Sequence, residues 1–202
     1  MSYLIKEELN NYYTIGGNQD YTPKTIDNFY LREYFKIYLG NDELSNGTVL
    51  SGKGLIIIYK YLLSKNYKIK IDKELEEKIN NFNESLISPL ANKINIELVE
   101  KGLNGKCELS KKVLEYFIGI FGDVAGDASL LCLPTGGLYL VGGLSIALQS
   151  MITNTNIFME HYLNKDNFDF LLKTFPIYLV KNKNIGMKGA AEFARRLLLK
   201  EN

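Results

Sequence analysis

The sequence has no tryptophan, one histidine (His161), two cysteines (Cys107 and Cys132) and four prolines in 202 residues. A lone histidine excludes a His-rich metal centre and a catalytic histidine pair. Cysteines 25 positions apart provide neither a disulfide framework nor a zinc-site spacing. An excess of one charge is also missing: 24 Lys and Arg face 23 Asp and Glu, for a net charge of +1. Such a chain has no overall field for gripping phosphate backbones, so no nucleic-acid partner is read. The start, Met1-Ser2-Tyr3-Leu4-Ile5-Lys6-Glu7-Glu8, meets acidic charge early and has no long apolar stretch. It is therefore not read as a secretory signal, and a cytoplasmic location is expected.

What is present is globular: 46% hydrophobic and 23% charged residues, in a chain long enough to bury one core. A single domain over residues 1–202 is expected. From Ala128 to Met159 no residue is charged. That length could span a bilayer. It is broken, however, by Pro134, Gly136-Gly137, Gly142-Gly143, Gln149 and the polar run Thr153–Asn156. Glycine pairs and proline divide it into a buried strand, a turn and a buried helix, so no membrane partner is read.

Periodicity and turn residues suggest the following elements. Tyr3–Lys6 and Tyr12–Ile15 form a hairpin. A helix over 25–38 carries an apolar face of Ile26, Phe29, Tyr30, Tyr34 and Ile37, and ends at Gly40. Thr48-Val49-Leu50 is a short buried strand, Ser51–Gly54 a turn, and Leu55–Leu63 a helix with a lysine rim. Helices follow over 72–80 and from Pro89 to Lys101, and Ser110 caps a long helix running past Gly122 toward Leu131. Leu138–Val141 is a fully buried strand, turned by Gly142-Gly143 into a helix over 144–151. A strand at Ile177–Val180 and an amphipathic helix over 187–199 close the chain. The fold class is α/β, a mixed sheet flanked by helices.

Open α/β sheets bind ligands beyond the carboxyl ends of their strands. Two glycine corners qualify: Gly52 with Gly54, and Gly136-Gly137 with Gly142-Gly143. Glycine lets a backbone approach a ligand, yet such turns more often serve tight helix–strand packing. No Walker A spacing and no Gly-x-Ser-x-Gly elbow occurs. Asp123 and Asp127 lie four apart on one helical face, in reach of acid/base work, but are read as helix-end or partner-facing charges. His161 is read as a surface or structural residue and Cys132 as a buried thiol. Tyr12, Tyr13, Tyr21, Phe29 and Tyr30 are an aromatic cluster, mostly core, with an interface role as the alternative.

Several segments become specific as a set. Val49-Leu50-Ser51-Gly52-Lys53-Gly54-Leu55, Phe121-Gly122-Asp123-Val124-Ala125-Gly126-Asp127 and Gly136-Gly137-Leu138-Tyr139-Leu140-Val141-Gly142-Gly143-Leu144 occur in one order. Pro176-Ile177-Tyr178-Leu179-Val180 and Ile185-Gly186-Met187-Lys188-Gly189-Ala190-Ala191 follow, and Ile15-Gly16-Gly17-Asn18-Gln19-Asp20-Tyr21-Thr22-Pro23 precedes them. Together they resemble the C-terminal half of bacterial-type glucokinases, across nearly the whole chain. The resemblance implies an RNase H-like C-terminal lobe of the actin-like ATPase (hexokinase) superfamily.

The resemblance also exposes departures. The family's first lobe carries a phosphate loop and the aspartate that acts as general base, and this sequence has no counterpart of either. The family's sugar-binding glutamate falls on Ile15 and its histidine on Asn18, beside the retained Gly17. A second sugar-binding glutamate falls on Gly47; Glu43, four residues earlier, takes its place only with a local gap. Gly17 and Asn18 are therefore degenerate substrate positions, and no catalytic residue is assigned. Gly52, Gly54, Gly136, Gly137, Gly142 and Gly143 match the nucleotide side. ATP, held weakly, is the one cofactor this implies, although the turns themselves account for these glycines.

Three functions are carried forward. The first is a degenerate, non-catalytic subunit that binds a protein partner through the face left by the missing lobe. The second is the C-terminal half of an ATP-dependent glucokinase whose N-terminal half is another chain. The third is a weak adenine-nucleotide sensor.

Overall fold

A computed structural model describes residues 2–5, 8–11, 18–82, 86 and 88–200. The chain divides into two compact units, Met1–Val113 and Leu114–Asn202.

The first unit opens with an antiparallel hairpin of β1 (Ser2–Ile5) and β2 (Glu8–Asn11), in register from Ser2 opposite Asn11 to Ile5 opposite Glu8. The expected second strand at Tyr12–Ile15 lies outside the described residues, and pairing begins four residues earlier. Helix α1 (Ile26–Leu39) starts where the Thr25 hydroxyl accepts from the Asn28 amide and stops at Gly40 in the left-handed region. The stop at Gly40 is the expected one, and Thr25, expected as the first helical residue, serves as the cap. Its apolar stripe, however, faces the wrong way for a core. Asn28, Leu31 and Phe35 are buried, whereas Ile26, Phe29, Tyr30 and Ile37 are exposed, Ile37 by 82%.

Thr48-Val49-Leu50 is not a strand. Ser45 caps a single helical turn, α2 (Asn46–Val49), by accepting from the Thr48 amide. The β-branched pair favours a strand locally, but the cap and the next turn decide. Ser51 then caps α3 (Gly52–Ser64) by accepting from the Gly54 amide. Instead of one apolar face and a lysine rim, α3 is buried on every side from Leu55 to Tyr59. A helix apolar all round belongs at a centre, and α3 touches α1, α2, α4 (Lys73–Asn80) and α5 (Pro89–Leu103). Asp72 caps α4, and its carboxylate also meets Lys101 of α5 at 2.8 Å.

Helix α6 (Glu108–Cys132) begins two residues before Ser110, the expected cap. The residue ahead of it is Cys107, whose Sγ accepts from the Ser110 amide at 3.4 Å. Cys107 is therefore the buried thiol, while Cys132 is only half-buried.

In the second unit, α7 (Gly143–Ala147), α8 (Gln149–Asn154), α9 (Ile157–Leu163) and α10 (Asp169–Leu172) accompany a two-stranded parallel sheet. Strand β3 (Leu138–Leu140) pairs with β4 (Ile177–Leu179), Leu138 opposite Ile177. The expected fully buried strand is not found: Leu140 is buried, but Tyr139 and Val141 are exposed. Helix α9 lies close on α6. A Cβ on Gly122 would overlap the Phe158 carbonyl, and one on Gly126 the Tyr162 carbonyl. Glycine at both places lets the two backbones approach. Phe158 fills the contact edge-on to Phe121 and stacked with Tyr162. The closing helix α11 (Ile185–Lys200) is present as expected. Among the described residues, no helix is long and apolar enough to cross a membrane.

Candidate functional site

The first corner forms in the first unit from two segments far apart in sequence. The Asn46 amide donates to the Gln19 carbonyl at 2.9 Å, and the Tyr21 amide to the Leu44 carbonyl at 2.8 Å. Asp20 and Ser45 face each other in an isolated antiparallel bridge. Asn18, next to Gln19, lies near the start of α2, while Gly17 and Ile15 lie outside the described residues. Gly47 sits in the single turn of α2 and offers no side chain. Glu43 stands before that turn, exposed, with its amide bonded to the Asn41 side chain at 3.0 Å.

Gly52 and Gly54 open α3 beside this corner, but their surroundings are filled. A Cβ on Gly52 would lie 2.7 Å from Nδ2 of Asn95, and one on Gly54 would overlap the Val49 carbonyl. Both glycines serve close packing, against α5 and against α2. Asn95 is 7% exposed, and its Oδ1 is buried without a protein partner. Sequence reasoning missed Asn95, since nothing marks a polar residue on an amphipathic helix as facing inward. The groups gathered at this corner include amides, hydroxyls and the exposed Asp20 carboxylate. Amides and hydroxyls can bond a sugar hydroxyl but cannot take its proton.

The second corner lies in the second unit, and its glycines are open. Gly136, Gly142 and Gly143 have nothing within 4 Å of an added Cβ. Gly142, at φ +132°, needs glycine for its backbone alone. Gly137, at φ +110°, lies under the Tyr178 ring, and Tyr178 stacks on Tyr139 with centroids 4.9 Å apart. Because β3 and β4 are parallel, Gly142-Gly143 and Lys181-Asn182-Lys183 leave the same end of the sheet. Free backbone and nearby cations suit an anion, although α7 is only five residues long.

A third group was not foreseen. Asp123, read from sequence as a helix-end or partner-facing charge, is 4% exposed. Its Oδ2 meets His161 Nδ1 at 3.1 Å, and the Lys165 ammonium donates to its carbonyl at 2.8 Å. Lys165 also pairs with Asp127 at 2.8 Å, and the Tyr162 hydroxyl donates to Ser129 at 3.1 Å. Buried polar groups hold their place by such bonds. The cluster fastens α9 to α6 and leaves His161 half-buried rather than on the surface. Among the described residues, no group of His, Cys, Asp and Glu is arranged to hold a metal ion.

The hydrogen bond to Asp123 raises the His161 pKa above its ordinary value; burial and Lys165 oppose this, and Glu160 adds to it. A raised histidine stabilises the fold fully below the unfolded value of about 6.5. That stability is lost as pH rises through the folded value. The second unit is therefore expected to be more resistant to urea near pH 6 than near pH 8.5. Proton NMR follows the transition directly, because His161 is the only histidine. Asp123→Asn should return its midpoint toward the ordinary value and flatten the pH dependence.

Helices around a parallel β3–β4 pair, with glycine turns at its ends, make an α/β fold. Two solved structures share it. A glucokinase from an Antarctic psychrotroph superposes with a TM-score of 0.68 at 22% identity, over 92% of this chain and 51% of that one. A glucokinase from Balamuthia mandrillaris, solved with glucose, gives 0.64 at 16% identity, over 87% and 44%. The glucokinase family model matches residues 1–197, and the chain belongs to that family. The glucokinase of Trichormus variabilis is 29% identical over 205 residues, covering 96% of this chain and 57% of the relative. The chain thus spans little more than half the length of the curated relatives it matches.

Proposed function

We propose that this chain is a non-catalytic glucokinase-family half that works as an interaction subunit of a larger assembly. The outward face of α1 carries the proposal. Ile26, Phe29, Tyr30 and Ile37 form an exposed stripe on a helix whose inner face already fills the core. A contiguous apolar stripe in water marks a protein interface, and aromatic residues are enriched there. The first corner supports the lack of catalysis. The positions that the family resemblance assigns to two sugar-binding carboxylates carry Ile15 and Gly47. A glucose hydroxyl facing either position loses a charged partner, worth about 1.5–3 kcal/mol each. Two such losses weaken binding by roughly two orders of magnitude or more.

One alternative has an observation in its favour. The Asn18 segment and α2 are still stitched together by the Asn46–Gln19 bond, which suits the C-terminal half of a working glucokinase completed by another chain. Titration calorimetry and a coupled ADP-release assay separate the two. The proposed reading expects no heat with 10 mM glucose and no glucose-dependent turnover by the native assembly, and glucose-dependent ADP release would replace it with the half-kinase. Weak ATP binding at Gly142-Gly143 is a separate question: saturable heat with ATP at millimolar concentration would support the sensor reading.

A further inference from the structure

The outward stripe of α1 is bordered by positive charge on both sides. Helix α3 carries no Asp or Glu, and α1 carries only Asp27 and Glu33. On the border toward α3, the Lys60 ammonium stands 5.1 Å from the centre of the Tyr38 ring. The Lys65 ammonium, at the end of α3, lies 5.1 Å from the Tyr30 ring and 4.8 Å from the Tyr61 ring. Asp27, on this border, meets Lys65 at 3.6 Å and accepts from the Tyr61 hydroxyl at 2.8 Å. On the other border, Arg32 and Lys36 share the Glu33 carboxylate at 3.5 and 3.7 Å. Each border therefore holds two cations to one carboxylate. The rings between them are held too, by the lysines over their faces. Tyr38 also stacks on Tyr34, and Phe29 sits edge-on to Tyr30. Rings fixed in advance lose less freedom when a partner arrives.

Length and charge say what kind of body this face takes. Ile26, Tyr30 and Ile37 run along α1 for about 17 Å, or about three turns. That length fits one helix laid along α1, with its own apolar residues at three- and four-residue steps. A second copy of this chain is disfavoured by charge. A two-fold pairing sets the face against itself, and in either direction a border in positive excess meets another. An anionic lipid surface is read by clusters of about four to eight Lys and Arg. Here the four cations are half neutralised by Asp27 and Glu33, and they frame an ordered row of rings.

We propose that the outward face of α1 docks an amphipathic helix of another protein, one whose apolar stripe is flanked on both sides by carboxylates. This rests on the reading of the chain as an interaction subunit and gives its partner's chemistry. The partner's apolar side chains cover Ile26, Phe29, Tyr30 and Ile37. Its carboxylates reach Lys60 and Lys65 on one border and Arg32 and Lys36 on the other. A helix flanked by lysines is repelled at both borders, which gives the face its selectivity.

The test places a photo-crosslinking amino acid at Ile26 or Ile37 of the full chain in its own cells, with exposed Lys93 on α5 as the control position. The crosslinked peptides are sequenced by mass spectrometry. The expected product, from positions 26 and 37 and not from 93, is a segment of a different protein. It has apolar residues at three- and four-residue steps, with more Asp and Glu than Lys and Arg beside them. A synthetic peptide of that segment should bind the purified full chain in fluorescence anisotropy, at least about tenfold more weakly at about 500 mM NaCl than at about 50 mM. Lys60→Glu/Lys65→Glu should weaken binding by a similar factor, and Lys60→Arg/Lys65→Arg should restore it. Crosslinks to a second copy, within one chain, to lipid, to nucleic acid or to a segment with basic flanks would overturn the proposal. So would a salt-independent affinity, or no crosslink at all. Ile37→Asp should remove the crosslink from position 26 and leave the urea midpoint of the purified chain unchanged, because Ile37 is 82% exposed. A large drop in that midpoint would show that the face packs within the chain, and would also overturn the proposal. Glucose-dependent ADP release would end the non-catalytic reading and leave these crosslinks untouched, so the two failures are distinct.

Discussion

Gly54→Val is expected to cost the first unit about 3 kcal/mol or more, at the upper end of overpacking substitutions. A Cβ at this position would overlap the carbonyl oxygen and carbon of Val49 and press on the Thr48 carbonyl. Those atoms are backbone, so no side chain can swing away to make room. The alternative is to separate α2 from α3, which would disturb the Ser51 cap and the bond from the Ser51 hydroxyl to the Thr48 carbonyl. It would also open the corner that holds Asn18. The matching substitution in the other glycine corner should behave oppositely. Gly143 has nothing within 4 Å and begins a helix, so Gly143→Ala should be neutral or stabilising by a few tenths of a kcal/mol. Urea unfolding of the two variants measures the contrast. Equal midpoints would show that the two corners are built alike.

Lys165→Met should be nearly as damaging to the second unit, at about 3 kcal/mol. The Lys165 side chain is 5% exposed and reaches both the Asp123 carbonyl and the Asp127 carboxylate at 2.8 Å. Methionine preserves much of the stem's packing, so the loss reports the ammonium. Without it, the buried Asp123 carbonyl loses its side-chain donor, and the buried Asp123 carboxylate, held by His161 alone, loses a neighbouring cation. Asp127→Asn should cost less, about 1 kcal/mol, because the amide oxygen can still accept from the Lys165 ammonium, which also keeps its bond to the Asp123 carbonyl. The asymmetry between the two ends of one ion pair is the signature to look for in thermal unfolding followed by circular dichroism.

Most helices were legible in the sequence because their ends are written locally. Thr25 and Gly40 bracket α1, Asp72 opens α4, and Ser88 with Pro89 opens α5. The parallel pairing of β3 and β4 was implied by two apolar runs, each followed by a turn and a helix. What failed was orientation. On α1 the sequence shows two apolar stripes, and nothing local says that Leu31 and Phe35 face the core while Phe29 and Ile37 face water. The α2 turn was missed because Thr48 and Val49 are β-branched, and a one-turn helix has no periodicity to read. The Asp123–His161–Lys165 cluster was invisible for a different reason. Its members lie 38 and 42 residues apart, and only the close α6–α9 packing at Gly122 and Gly126 brings them together. The glycine corners were located from sequence, but their difference was not: Gly54 is filled by backbone, whereas Gly142-Gly143 is open.

On the proposed reading, this half of a glucokinase fold works as a subunit and does not act alone. The native mass of the endogenous protein tests it most directly, by sedimentation of a gently lysed extract with mass spectrometry of the same fractions. The expected result is that the chain sediments well above its own 23.0 kDa, together with a distinct polypeptide in fixed ratio. A monomer sedimenting at 23.0 kDa would contradict it.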